Sequence, residues 1–158
     1  HHSAMKHVIG ARREIGVRTI FNMLGPLTNP ASAPNQALGV FDQVWIEPIL
    51  DVLKELGSRH VLVLAADDGL DEISISAVTM LQVNSPQESY ELVQKALTYT
   101  DEAAGDVVAL NAGAAIYAAN LVDDLPAGVA RAQAILHSGE ALQKLRALAS
   151  FTSTMNPD

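Results

Sequence analysis

The fold is decided by the stretch His60-Val61-Leu62-Val63-Leu64-Ala65-Ala66, a continuous run of β-branched and aliphatic residues. Such a run is typical of a strand covered on both faces, as strands in parallel sheets are. Before it, the apolar residues from Val44 to Leu56 recur at helical spacing, and Gly57 marks the end of that helix. Because Pro48 fits best in a first turn, the regular helix is expected to begin near Ile46 or Glu47. A helix followed by a two-sided strand predicts an α/β fold with a partly parallel central sheet flanked by helices.

Local signals place the remaining elements. Residues 37–41 are apolar and predict a short strand, whereas the C-terminal half is helical. Ser85 to Glu88 form a capping box with proline at the first helical position. Four helices are expected in this half. The first runs from this capping box through about Leu97, the second covers the Ala- and Gly-rich residues 106–121, the third follows Asp124, and the last lies around residues 142–148. The tail from Thr152 to Asp158 is expected to be frayed.

Composition excludes several classes of protein. The chain has 158 residues, which is enough for one domain with its own core, so residues 1–158 are expected to form a single α/β domain. The absence of cysteine excludes a disulfide framework, a thiolate zinc site and a cysteine nucleophile. A net charge of -8 argues against nucleic acid as a partner. Neither a membrane-spanning run nor a signal-peptide core is found, so a cytoplasmic protein without a membrane partner is expected.

Three clusters could carry chemistry: a basic helix over residues 4–14, a stiff and irregular Gly-Pro loop over residues 25–35, and four carboxylates within residues 67–72. Each cluster alone also fits a purely structural role: the helix as a solvated face, the loop as a rigid connection, and the acidic residues as an exposed turn. The acidic cluster follows a predicted strand, however, and the carboxyl edge of an open α/β sheet is where ligands bind. Its oxygen ligands suit magnesium better than zinc. Together, the three clusters suit a substrate that carries phosphates and a carboxylate.

Five segments resemble the anthranilate phosphoribosyltransferase family, and they occur in the same order along nearly the whole chain. They are His1–Val8, Ala11–Asn22, Gly25–Pro30, Asp68–Ser74 and Asn111–Tyr117. The resemblance makes the first two histidines native residues, although on pattern alone they equally fit the remnant of a purification tag. It implies the C-terminal α/β domain shared by nucleoside phosphorylases and phosphoribosyltransferases.

The resemblance also implies a reaction and its residues. The phosphoribosyl group of phosphoribosyl pyrophosphate would pass to the amine of anthranilate, with release of pyrophosphate, in tryptophan biosynthesis. His2, Arg12 and Pro26 match positions that line the anthranilate site, and Asp71 and Glu72 match the acids that hold Mg2+. A guanidinium suits the anthranilate carboxylate, and a proline offers an apolar wall to its ring.

No covalent nucleophile is expected, because the implied chemistry is substitution at the anomeric carbon through an oxocarbenium-like state. Ser74 and Ser76 are interpreted as local hydrogen-bonding groups. Lys6, Arg13 and Arg18 are assigned structural or long-range electrostatic roles.

Two features depart from the family pattern. The family's Gly-Thr-Gly-Gly-Asp phosphate loop, its Lys-His-Gly-Asn-Arg motif and its dimer-forming N-terminal helices belong upstream of His1. The chain is therefore expected to be the anthranilate and magnesium side of a longer, homodimeric protein. Near residues 79–83 the family has some tens of further residues, which predicts a deletion or a discontinuity there. Two alternatives remain: a non-catalytic binding module of the same fold, or a related pyrimidine nucleoside phosphorylase.

Overall fold

The structure, a computed structural model, describes Glu14, Leu24, Gly25, Leu27, Thr28, residues 31–66, Ile73 and residues 81–155. The chain divides into two compact units, His1–Ala33 and Pro34–Asp158. A single domain over residues 1–158 therefore remains a prediction. The basic helix expected over residues 4–14 lies outside the described residues except for Glu14, which is helical.

In the first unit, the described residues near the Gly-Pro loop form a helical turn. Leu24, Gly25 and Leu27 are helical, and the Thr28 backbone N–H donates to the Leu24 carbonyl at 3.0 Å. The expectation that residues 25–35 would be irregular throughout is thus wrong at the start of the loop. The Thr28 hydroxyl donates to the same Leu24 carbonyl at 2.8 Å, so a local side-chain hydrogen bond supports this turn.

The second unit opens with two parallel strands joined by a helix. Strand β1 (Asn35–Val40) pairs with strand β2 (His60–Ala65) in a register that sets Asn35 opposite His60 and Val40 opposite Ala65. Helix α1 (Ile46–Glu55) connects them and contacts β2. The parallel βαβ arrangement predicted from the sequence is confirmed, with β1 beginning two residues earlier than expected.

A capped turn before helix α1 and a glycine after it determine where the helix begins and ends. A short 3₁₀ turn (Gln43–Trp45) leads into it, and the Asp42 side chain caps that turn by accepting from the Val44 N–H at 3.0 Å. Its C-terminal stop, Gly57, has φ of +83°, a conformation that glycine adopts without strain. Ile49 and Leu53 are the buried residues of the helix.

Strand β2 is less covered than its sequence suggested. All six of its residues are half-buried, rather than fully enclosed. Among the described residues β1 is its only partner strand, which leaves one edge of β2 without a strand in that part of the chain.

Four helices complete the second unit: α2 (Pro86–Leu97), α3 (Glu102–Ala118), α4 (Leu125–Ser138) and α5 (Glu140–Met155). Ser85, Asp101 and Asp124 each cap the helix that follows by accepting a backbone N–H three residues on. Gly139, with φ of +77°, separates α4 from α5. No helix in the described part of the chain is long and apolar enough to cross a membrane.

The predicted fraying from residue 152 is wrong as far as Met155, where α5 ends. No proline or glycine occurs between Gly139 and Pro157, and the hydroxyls of Thr152 and Ser153 donate to carbonyls one turn earlier. Residues 156–158 lie outside the described residues.

The core of the second unit lies where α3 crosses α4. Ala109, Ala132 and Leu136 are buried together there. Gly113 and Gly128 let the two backbones approach so closely that a Cβ on Gly128 would lie 2.4 Å from the Gly113 carbonyl oxygen. The buried helix predicted from the Ala- and Gly-rich sequence is confirmed, beginning at Glu102 rather than at residue 106 because Asp101 caps it.

Candidate functional site

The carboxyl ends of β1 and β2 form one edge of the sheet, because Val40 and Ala65 pair at the end of the ladder. The chain continues from β2 through Ala66 into the acidic segment, residues 67–72. The prediction that these carboxylates follow a parallel strand is therefore confirmed. The acidic segment itself lies outside the described residues, which resume at Ile73.

Asn111 of α3 holds the residue that follows the acidic segment. The Ile73 backbone N–H donates to Asn111 Oδ1 at 3.1 Å, and Asn111 Nδ2 donates to the Ile73 carbonyl at 2.9 Å. The same Nδ2 donates to the Val107 carbonyl, also at 2.9 Å. This half-buried amide thus satisfies both polar groups of one backbone residue, as a neighbouring strand would.

A second amide fixes the other end of β2 to the same helix region. A 2.9 Å hydrogen bond joins His60 Nδ1 to Asn120 Oδ1, just beyond the end of α3. The His60 ring also meets the Tyr117 ring edge-on, with centroids 5.0 Å apart. Helix α3, which contacts both strands, therefore runs antiparallel to β2: its middle holds Ile73, and its end holds the first residue of the strand.

The five residues predicted for the site lie outside the described residues. They are His2, Arg12 and Pro26 for anthranilate, and Asp71 and Glu72 for Mg2+. Their predicted roles accordingly remain predictions. The described residues contain no group of three or more His, Asp and Glu side chains placed to hold a metal ion.

A second polar cluster joins three helices. Tyr99 follows α2. Its hydroxyl donates to Asp106 Oδ1 and accepts from Gln133 Nε2 at 3.1 Å. The Tyr99 ring stacks on His137 with centroids 4.4 Å apart. The hydrogen bond to the Asp106 carboxylate, followed by burial, raises the pKa of Tyr99 above its usual value of 10.0. With φ of +54°, Tyr99 keeps a rarely populated backbone conformation because these contacts hold it.

Sequence reasoning missed Asn111, although a signal for it exists. Residues 107–118 are otherwise almost entirely Ala, Val, Leu, Ile and Gly, so Asn111 is a polar side chain on an apolar helix. A half-buried amide in such a place requires hydrogen-bond partners. The sequence does not reveal that the partner is residue 73, because the two lie far apart along the chain.

The sequence matches the family model described as glycosyl transferase family, a/b domain, over residues 1–82 and 78–142. The chain belongs to this family. Among the curated relatives of this family member, the anthranilate phosphoribosyltransferase of Alkalilimnicola ehrlichii is 47% identical over 180 residues, covering 96% of the chain and 53% of the relative. That of Hahella chejuensis is 48% identical over 185 residues, covering 97% of the chain and 54% of the relative. The chain thus spans about half the length of the curated relatives it matches.

A solved structure shares the fold. It is the anthranilate phosphoribosyltransferase from Saccharomyces cerevisiae in complex with 4-fluoroanthranilate, with a TM-score of 0.71 over 92% of this chain and 51% of that chain. At 22% sequence identity this likeness establishes the α/β fold alone.

The family match consists of two stretches that overlap at residues 78–82. In addition, the alignment to the A. ehrlichii relative runs over 180 residues, more than this chain possesses. Both facts accord with the expected shortening near residues 79–83. The shortening itself, as a deletion or as a discontinuity, remains a prediction.

Proposed function

We propose that the protein is an anthranilate phosphoribosyltransferase. The anthranilate nitrogen would attack the anomeric carbon of phosphoribosyl pyrophosphate, and the bond from that carbon to the pyrophosphate oxygen would break. The amine would lose one proton to solvent, giving N-(5-phosphoribosyl)anthranilate and pyrophosphate. The observation that carries this proposal is the 47% identity, across 96% of the chain, to relatives that bear this name.

The anthranilate side of the proposed site rests on three residues. The Arg12 guanidinium would pair with the anthranilate carboxylate, since its planar fork offers two parallel donors to a carboxylate. Pro26 would give the aromatic ring an apolar wall, and His2 would stack on it or donate a hydrogen bond. These three residues would orient anthranilate, which would lower the activation barrier by holding the nucleophilic nitrogen near the anomeric carbon.

The metal side rests on Asp71 and Glu72, which would hold Mg2+. Two adjacent carboxylates are the hard oxygen donors that this ion takes, with substrate oxygens and water completing its coordination. The proposal is supported by the position of the acidic segment directly after β2 and by the hydrogen bonds that hold Ile73 beside it. When bound, the ion would neutralise negative charge on the departing pyrophosphate.

The proposal includes a cytoplasmic location and a homodimer. Both are supported by the resemblance to a family of biosynthetic enzymes, and sedimentation of the complete gene product would test the dimer.

The activity is tested with the complete gene product, anthranilate, phosphoribosyl pyrophosphate and Mg2+. We expect anthranilate to disappear and pyrophosphate to appear in equal amounts. Phosphorolysis of a pyrimidine nucleoside in a parallel assay, without transfer to anthranilate, would instead identify a nucleoside phosphorylase. Binding of anthranilate without turnover would indicate a non-catalytic module.

The metal assignment predicts the effect of changing both carboxylates. The double variant Asp71→Asn with Glu72→Gln should raise the Mg2+ concentration that gives half-maximal velocity by about tenfold or more, because both proposed ligands lose their charge. Asp51→Asn, at an exposed carboxylate on helix α1, is the control and should leave that concentration within about twofold, since solvent and salt screen a surface charge. An unchanged magnesium dependence in the double variant would contradict the assignment.

A further inference from the structure

We propose that helix α1 of one copy of this chain binds helix α5 of a second copy, with the two helices antiparallel. Each helix carries an exposed apolar surface that no described part of the same chain covers. The two surfaces agree in length, and they carry charges of opposite sign. Neither helix contains a residue of the proposed catalytic site, so this inference does not rest on the proposed function.

The surface on α1 is an apolar ridge that runs along the whole helix. Side chains four positions apart line up along a helix, and the exposed residues at this spacing are Val44, Pro48, Val52 and Leu56. Val44 lies in the 3₁₀ turn before the helix, and Leu56, which is 62% exposed, is its C-terminal cap. The ridge thus gives α1 a second apolar face, in addition to the side that buries Ile49 and Leu53.

The surface on α5 is an apolar stripe near the end of the helix. Leu148, Phe151 and Met155 recur at the spacing of one helical face, and each is more than half exposed. All residues from Arg146 to Met155 are exposed, whereas the half-buried residues of α5 come earlier. A helical segment of this length is marginal in water unless its apolar face packs against another element. A partner helix would therefore stabilise this end of α5.

The two surfaces fit together when the helices lie antiparallel. At about 1.5 Å per residue, the ridge and the part of α5 from Lys144 to Met155 each extend roughly 17 Å. Val52 then lies opposite Leu148. About two turns further along, Val44 lies opposite Met155. This arrangement also sets the two helix dipoles antiparallel, so that ends of opposite partial charge meet.

Charges of opposite sign accompany the two surfaces. Exposed carboxylates, among them those of Glu47 and Glu55, follow ridge residues by three positions and so lie beside the ridge. The exposed Lys144 continues the stripe of α5 one turn earlier, and no acidic residue occurs on α5 after its first position. In the antiparallel arrangement, Lys144 meets Glu55.

These charges favour the pairing of α1 with α5 over the pairing of like helices. Two copies of α1 would set carboxylates against carboxylates, and two copies of α5 would leave both lysines without an acid. Because the chain has a net charge of -8, two copies repel one another at long range, and a contact between them requires a local match of charges. A second copy of this chain provides that match for both surfaces.

The first experiment tests both surfaces in the full 158-residue chain by sedimentation velocity over a range of concentrations. We expect the wild type to self-associate reversibly, and Val52→Gln and Phe151→Gln each to raise the dissociation constant about tenfold or more. Val93→Gln on α2 is the matched control, because Val93 is 43% exposed and Val52 is 42% exposed. It should leave the dissociation constant within about twofold.

Mixing the two variants tests which helices meet. Val52→Gln keeps an intact α5 and Phe151→Gln keeps an intact α1, so an equimolar mixture regains one intact contact. At a concentration where each variant alone is monomeric, we expect the mixture to contain dimers. If like helices paired instead, one of the two variants would associate as the wild type does, and the proposal would be overturned.

Exchanging two charges tests the antiparallel arrangement. Glu55→Lys and Lys144→Glu should each weaken association about fivefold or more, because each sets like charges together. The double variant should associate within about twofold of the wild type, since it restores an opposite pair. Glu91→Lys, at an exposed residue of α2, makes the same change of charge and should not weaken association. A double variant no tighter than the single variants would overturn the proposed antiparallel contact.

Circular dichroism checks that each variant folds. Should Val52→Gln or Phe151→Gln fail to fold, Leu56→Gln and Met155→Gln, on the same two surfaces, decide by the same criteria. A wild type that stays monomeric across the concentration range overturns the proposal, whatever else binds the two surfaces. Transfer activity in the complete gene product tests the proposed function separately, because neither surface contains a residue of that site.

Discussion

A single guanidinium carries most of the specificity proposed for the acceptor substrate. Arg12→Ala should raise the KM for anthranilate with little change in kcat, because the proposed pair with the carboxylate would be equally strong in the ground state and the transition state. A hydrogen-bonded charged pair in a partly buried site contributes about 2–3 kcal/mol, which corresponds to roughly a 30- to 150-fold rise in KM. Steady-state kinetics with anthranilate as the varied substrate measure it.

The neighbouring Arg13 provides the control at this scale. Arg13→Ala removes the same charge one position away, so a long-range electrostatic effect would appear equally in both variants. We expect the KM to change less than about threefold for Arg13→Ala, as for a screened surface charge. Equal kinetic constants for the wild type and Arg12→Ala would remove Arg12 from the anthranilate site.

At the scale of the helices, the crossing of α3 and α4 depends on two glycines. A Cβ on Gly128 would lie 2.4 Å from the Gly113 carbonyl oxygen, and a Cβ on Gly113 would lie 2.7 Å from the Val129 backbone. Gly→Ala in an exposed helix stabilises it by about 1 kcal/mol, but here backbone stands in the way and must move. Gly128→Ala should therefore lower the free energy of unfolding by about 1–3 kcal/mol, measured by urea denaturation.

Ala115→Ser is the matched variant for that measurement. Like Gly128→Ala, it adds one heavy atom to a helix, but at an exposed position, on α3. Its free energy of unfolding should stay within about 0.5 kcal/mol of the wild type. If Gly128→Ala were equally mild, the helices could separate at little cost, and the close approach would not be needed for stability.

The limits of the elements were predictable wherever a local cap or stop determines them. The side chains of Ser85 and Asp124 cap the helices that follow, and Gly57 ends α1, as the sequence indicated. The contact of Asn111 with Ile73 was not predictable, because it joins residues 38 positions apart and depends on how α3 lies against the sheet. Local patterns indicated the clusters at residues 4–14, 25–35 and 67–72, but only the family resemblance singled out individual site residues such as Arg12.

At the scale of the whole molecule, Tyr99 links the end of α2 to α3 and α4, so its state affects global stability. The Asp106 carboxylate and burial raise its pKa, with Glu102 adding to the effect and Gln133 opposing it. The folded protein thus holds the phenolic proton more tightly than the unfolded chain does. This contribution is fully present below pH 10, the unfolded value, and is lost as the pH rises through the folded pKa.

Comparing the wild type with Tyr99→Phe isolates that contribution. At pH 8 the variant should be less stable by about 1–3 kcal/mol, since it loses a hydrogen bond to a carboxylate and leaves Gln133 without the hydroxyl. As the pH rises above 10, only the wild type loses this contribution, so the difference in the free energy of unfolding should narrow. Urea denaturation at pH 8, 9, 10 and 11 measures this difference in the free energy of unfolding.

Tyr90→Phe is the control. Tyr90 is 53% exposed, and its hydroxyl accepts a hydrogen bond from Gln94, so we expect a difference below about 0.5 kcal/mol. A Tyr99→Phe difference that stays constant across this range would show that Asp106 does not hold the phenol proton. A difference near zero already at pH 8 would show that the link between the three helices rests on ring packing, which phenylalanine keeps.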